Sequence, residues 1–328
     1  MSLRPPAWYQ LRATRAQPPG LAGADAASRG GIYQAALQQS EELMRAAGAV
    51  GPASRPLLLF YGLSQAGRAI VAARSDAIEV HESHGLTLGR PVSSSVLGVV
   101  VVPKSNGQFP ALAGAVGSPG LSTSVQLGGL MAAIPELAHL PQLGDNWRRA
   151  LPVWPSAPDT VWSKSAASGI GTTTRKVSVV VVFPEPQPSS VEELRQALGL
   201  YPAACQVDPG ELAGPPGEET RDGHGVVISW PGSAPIQPVF GPDGRWWLRP
   251  AICGTEDPPS LLVTWWAVLF GLSMLARYHP VEWVAALDPD SSAEAVVLEL
   301  ALNVALEVVP ELVLEAVQAW DGPGSVAT

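Results

Sequence analysis

Arg74 and His81 have six residues between them, and Ser75 directly follows the arginine. An imidazole and a guanidinium at that spacing suit metal-independent cleavage of RNA through its 2′-hydroxyl. His81 would move the proton and Arg74 would stabilise charge on the phosphate. The surroundings oppose this. Glu79 and Glu82 flank His81, and Asp76 lies beside Arg74; these acids repel RNA and favour imidazolium. A solvated helix end with a chance spacing is the preferred reading, with Arg74 in water or paired with an acid.

Glu79, His81, Glu82 and His84 form an acidic–imidazole cluster. Two histidines three apart on a helix would share a face, making half of a metal site. The second His comes one residue too early for HExxH, and no third ligand is indicated. No metal or other cofactor is therefore expected. Packing or hydrogen bonding of His84 at a helix boundary is the simpler role. Gly62-Leu63-Ser64-Gln65-Ala66-Gly67 approaches the G-x-S-x-G nucleophile elbow, but Ala66 stands where the second Gly belongs. As a helix, the same segment places Leu59, Leu63, Ala66 and Ile70 on one face and Tyr61, Ser64, Gln65 and Arg68 on another. Gly169 to Thr174 has the composition of a phosphate loop but no P-loop Lys, and it reads as a turn. Arg277 and His279 close an apolar helix, where cations suit the helix dipole. Set against Arg68 and His84, Arg277 would complete an anion-binding site; helix capping with a buried Arg–carboxylate pair is the alternative.

The elements that must position these groups follow from hydrophobic patterning. Residues 30–48 and 56–76 read as helices, the second with Pro56 in its first turn. Residues 259–278 read as a Trp-rich helix; its apolar run, Leu261 to Ala276, is interrupted by Thr264 and Ser273 and is shorter than the roughly 20 residues of a membrane span, so a buried core helix is expected. Residues 292–320 read as one long helix or two, with Pro310 kinking it or starting the second piece. Helices 56–76 and 259–278 are each too apolar to be covered by their sequence neighbours, so they are expected to pack together. Between them lie β-branched runs at Ser95–Val102, Lys176–Phe183 and Val226–Trp230, and a hairpin at 239–248 turning on Pro-Asp-Gly. Short helices are expected at Leu127–Leu137 and at Ser190–Leu198, where Ser190 and Glu193 have capping-box spacing. Alternating βα units are absent, which excludes a doubly wound parallel sheet.

Three stretches together resemble the YaaC-like family of bacterial proteins: Arg55-Pro56-Leu57-Leu58-Leu59-Phe60-Tyr61-Gly62-Leu63 with Ala69-Ile70, then His84-Gly85-Leu86, and Leu272 to Pro280 with Trp283. The first two also resemble HEPN domains, helical bundles that include ribonucleases with an Arg-x(4–6)-His motif and non-catalytic partners in toxin–antitoxin and phage-defence systems. The resemblance implies an α+β fold, with a discontinuous HEPN-like helical bundle built from both chain ends and an inserted β-rich region. The expected boundaries are a mobile or loosely docked arm at 1–29, the bundle at 30–88 and 256–321, the insertion at 89–255, and a tail at 322–328.

Composition narrows the function. Of 328 residues 46% are hydrophobic and 15% charged, and the net charge is −9. Global disorder is excluded, and a general grip on nucleic acid or an anionic membrane is disfavoured. Cys205 and Cys253 are isolated, which excludes a disulfide framework or a Cys-based zinc site. The first residues lack a secretory h-region, so a cytoplasmic location is expected. The preferred function is a non-catalytic interaction or regulatory module with a protein partner or as a homodimer, using Arg68, His84, Arg277 and His279 for binding, in stress or phage defence. A ribonuclease using Arg74 and His81 is the alternative, and a serine hydrolase using Ser64 a distant one.

Overall fold

The computed structural model of the chain describes residues 6–76, 83–89, 95–143, 147–155, 176–181, 183, 190–201, 218–220, 223–231, 239–240, 246–252 and 258–319. Expectations that rest on His81, on Glu79 and Glu82, on residues 169–174 and on the Pro-Asp-Gly turn lie outside these. The chain divides into two compact units, Met1–Met131 with Pro259–Thr328, and Ala132–Pro258. The described structure is mostly helical, with small antiparallel sheets inserted. Helices from both chain ends pack on one another, as expected of a discontinuous bundle.

The first unit opens with α1 (Ala7–Ala16), α2 (Gly20–Ala24), a π-helical turn at Ala26–Gly30, α3 (Gly31–Ala49) and α4 (Arg55–Arg74). The arm expected at 1–29 is thus helical from Ala7 onward. Ala7, Leu11 and Ala22 are buried. Arg12 Nε donates to both Glu41 carboxylate oxygens on α3, at 2.8 and 2.9 Å. Thr14 and Tyr33 share a hydroxyl hydrogen bond of 2.5 Å. These polar contacts anchor a segment whose Pro, Gly and Ala content hides its apolar face.

Then follow β1 (Leu86–Leu88), β2 (Val100–Pro103), α5 (Gln108–Ala115), β3 (Val125–Gln126) and α6 (Leu127–Ala132). β1, β2 and β3 form an antiparallel sheet in that order, with Thr87 opposite Val102. The strand expected over Ser95–Val102 begins only at Val100, because Ser95 and Val96 are drawn into a turn. There the Val96 amide donates to Glu294 Oε2 at 2.8 Å.

The second unit carries α7 (Pro135–Ala138), a 3-10 turn at Pro141–Leu143, β4 (Leu151–Pro155), β5 (Lys176–Val181), α8 (Val191–Leu198), β6 (Glu218–Thr220), β7 (Gly223–Pro231), β8 (Val239–Phe240) and β9 (Trp246–Leu248). Its six strands run in the order β6-β7-β5-β4-β9-β8, every pairing antiparallel. The Ser190 hydroxyl caps α8, accepting from the Glu193 amide at 3.1 Å. Arg249 is 4% exposed, and its Nε donates to the Ala133 carbonyl. Burial pulls its guanidinium down to about 10, against the attraction of Glu136. The stretch 89–131, expected in the β-rich insertion, belongs to the helical unit.

The chain closes the first unit with α9 (Leu261–Tyr278), α10 (Pro280–Ala286) and α11 (Ala295–Gln318). α9 is the one described helix long and apolar enough to cross a membrane, and most of it is buried inside the unit. Trp265 and Trp266 are essentially inaccessible, and α4, α5, α10, α11, β1 and β2 surround the helix. α4 and α9 pack together as their apolarity demands. Gly67 makes this close: a Cβ there would lie 2.5 Å from Trp266 Cζ3. Phe60 meets Trp266 and Phe270 edge to face, with centroids 5.8 and 5.5 Å apart. α11 runs unbroken through Pro310, which is buried, so no second helix starts there. The proline leaves the Leu306 carbonyl without its intrahelical donor.

Candidate functional site

His84 sits where β1 begins, held by backbone contacts to the start of α5. The Phe109 amide donates to the His84 carbonyl at 3.1 Å, the Gln108 amide to Ser83 at 2.9 Å, and the Lys104 amide to Gly85 at 3.0 Å. Two glycines permit this. Gly85 has φ +78° and Gly107 has φ +121°, values that L side chains rarely adopt. A Cβ on Gly107 would lie 2.4 Å from the Gly85 nitrogen, so the two backbones touch. The His84-Gly85 turn is therefore placed by main chain.

The His84 ring is caged by aromatics. It meets Phe60 edge to face at 5.1 Å, Tyr61 at 6.3 Å and Phe270 at 6.0 Å. Its Nδ1 is buried and has no hydrogen-bond partner among the described residues. Burial, then the charges of Arg277 and Arg68, push the imidazole below its usual value, so the ring is held neutral. Arg277 Nη1 donates to the Tyr61 hydroxyl at 3.0 Å, and its guanidinium lies 5.0 Å over the Tyr278 ring. Arg68 and Arg277 are both exposed. Neither makes an ion pair among the described residues, where Arg277 instead meets Tyr61. The charges of Arg68 and Arg277 thus both bear on a neutral His84. His279 serves the backbone instead: its amide caps the Leu275 carbonyl, and its own carbonyl accepts from Trp283.

Arg74 is engaged elsewhere. Its Nη1 donates to the Ala316 carbonyl at 2.7 Å, satisfying one of the orphan acceptors that end α11. Its Nε is buried without a partner among the described residues, and burial lowers its guanidinium from the usual range. The expected solvated or acid-paired Arg74 is corrected to a helix cap. Arg29 and Arg55 do the same for α4 and α3, through the Ser75 and Asp76 carbonyls and the Ala47 and Val50 carbonyls.

Ser64 is an interior residue of α4, 4% exposed, and no described non-glycine residue has positive φ. Its hydroxyl donates to Gln108 Oε1 at 2.5 Å. A nucleophile elbow needs a strained strand-to-helix turn and an adjacent base. Ser64 lies in ordinary helical backbone and bonds no base among the described residues, which argues against the hydrolase alternative. No cluster of three or more His, Cys, Asp or Glu able to hold a metal occurs among the described residues.

Tyr61 was legible in the sequence only as part of a polar stripe. Its role as acceptor for Arg277 depends on α9 crossing α4. Gly107 had no signal, because its constraint is a contact between two distant main-chain segments.

A helical bundle drawn from both chain ends, with the His-Gly turn wedged against α4 and α9, defines the class of protein. A match to the YaaC-like Protein family covers residues 8–317, and the chain belongs to that family. No curated protein and no solved structure matches it.

Proposed function

We propose that this YaaC-like protein is a non-catalytic interaction or regulatory module of the bacterial cytoplasm. It would act with a protein partner or as a homodimer, in stress or phage defence, through a bundle of HEPN-like type. The observation that carries this reading is the state of His84. A catalytic histidine needs a group that orients it and a partner for its proton. His84 has a buried Nδ1 with no partner among the described residues, an aromatic cage and two neighbouring cations. That arrangement suits recognition of an anion. The alternative, an HEPN-type ribonuclease, would need Arg74 to release the Ala316 carbonyl and meet a phosphate.

The deciding assay incubates the purified chain with RNA in EDTA, comparing wild type with His81→Ala. The expected result is no cleavage by either. Cleavage by wild type that disappears in His81→Ala would replace the module with the ribonuclease.

A further inference from the structure

We propose that Arg68, His84, Arg277 and Tyr61 bind the phosphate group of a small phosphorylated ligand. This rests on the reading of the cluster as a binding site and gives that site its ligand chemistry.

Among the described residues the donors are largely unspent. Arg277 commits one N–H to Tyr61 and places its guanidinium over Tyr278; Arg68 makes no hydrogen bond among the described residues. Because the Tyr61 oxygen accepts from Arg277, the phenolic proton is left to donate to a further acceptor. The His84 ring is rigid, and its neutral state in this setting means that an arriving negative charge would favour proton uptake there. The described charged groups that bear on the ring are Arg277 from α9 and Arg68 from α4. Tyr61 lies beside it, and neither α5 nor β1 contributes an ionisable side chain.

Geometry favours phosphate over carboxylate. Tyr61 and Arg68 are seven residues apart on α4, about 10 Å along the axis. Arg277 approaches at the Tyr61 end from α9, and His84 comes from the turn before β1. Donors thus arrive from three elements, which suits a tetrahedral oxyanion; a planar carboxylate is satisfied by one guanidinium fork. Two fixed cations plus a proton on His84 also match a dianion. The net charge of −9 acts against a long polyanion more than against one small phosphate.

The test uses the full chain and ³¹P-detected titration with inorganic phosphate, diphosphate and adenosine monophosphate, with acetate as competitor. At least one phosphate probe should bind saturably. Its affinity should fall tenfold or more in Arg277→Ala and in Arg68→Ala, with Arg277→Lys intermediate. Binding should be several-fold tighter at pH 6 than at pH 8 in wild type, measured by calorimetry with inorganic sulfate, a tetrahedral dianion of fixed charge over that range, and His84→Gln should flatten the difference. Both arginines are exposed, so the variants should keep the wild-type circular dichroism spectrum. Tight inorganic phosphate alone would indicate the free anion, and preference for the nucleotide an organic phosphate; either supports the proposal. Absence of saturable binding by all three probes, equal binding by an Arg68→Ala/Arg277→Ala double variant, or displacement by acetate at equal concentration would overturn it. RNA cleavage abolished by His81→Ala would sink the module reading without touching this measurement.

Discussion

Replacing Gly107 with alanine tests whether main-chain contact holds His84 in place. The new Cβ would lie 2.4 Å from the Gly85 nitrogen, 2.5 Å from its Cα and 2.6 Å from Ser83 Oγ. Comfortable carbon contacts lie at roughly 3.5–4.0 Å. Two of the three obstacles are backbone, so no side-chain rotation relieves them. Overpacking of this kind costs about 1–3 kcal/mol. Holding alanine at φ +121° adds about 1–3 kcal/mol of backbone strain. The expected loss is therefore on the order of 2–6 kcal/mol, a large part of the roughly 5–15 kcal/mol that stabilises a domain. The assay is urea unfolding of the full chain followed by far-UV circular dichroism. Gly48→Ala supplies the control: that glycine is exposed near the end of α3 and a Cβ there meets nothing within 4 Å. It should gain up to about 1 kcal/mol from helix propensity. A Gly107→Ala loss below about 1 kcal/mol, or equal behaviour of the two variants, would refute the backbone argument.

Two further outcomes follow from the packing. Hydrogen bonding to Arg12, opposed by burial and aided by the charges of Arg12 and Arg45, holds the Glu41 carboxyl below its usual value of 4.5. The pairing contributes stability that is fully present above that value and is lost as pH falls through the depressed one. Glu41→Gln should therefore flatten part of the acid limb of a stability–pH curve, and superimposable limbs would show that the pair contributes nothing. Ser64→Ala should cost about 1 kcal/mol, the net worth of its hydrogen bond to Gln108, and Ser64 should resist a fluorophosphonate probe; covalent labelling of Ser64 would contradict its place inside α4.

What the sequence made legible was whatever depends on one element's own pattern. The apolarity of residues 56–76 and 259–278 required a long-range partner, and α4 and α9 provide one for each other. The absence of βα alternation argued against a doubly wound parallel sheet, and the described strands pair antiparallel. The obscured parts depend on tertiary placement. Arg74 caps α11 only because that helix ends beside α4. Residues 7–30 look like an arm until Glu41 and Tyr33 on α3 supply the partners of Arg12 and Thr14. Pro310 reads as a break, yet the buried flanks of α11 carry the helix through it.

The placement of the proposed site has a thermodynamic consequence. Arg277 and Tyr61 are 216 positions apart, yet their hydrogen bond would form one side of the proposed site, and the other side would be a turn fixed by α5. No single segment presents these donors together; they converge only when α4, α5 and α9 are packed. Any ligand taken by the cluster therefore binds the folded bundle in preference to the unfolded chain, and mass action makes it a stabiliser of the contact between the chain's two ends. The reverse also holds. A perturbation that loosens α4 from α9, such as a Cβ at Gly67 driven into the Trp266 ring, weakens binding without touching a donor. In this arrangement binding at the proposed site and integrity of the bundle would be linked equilibria.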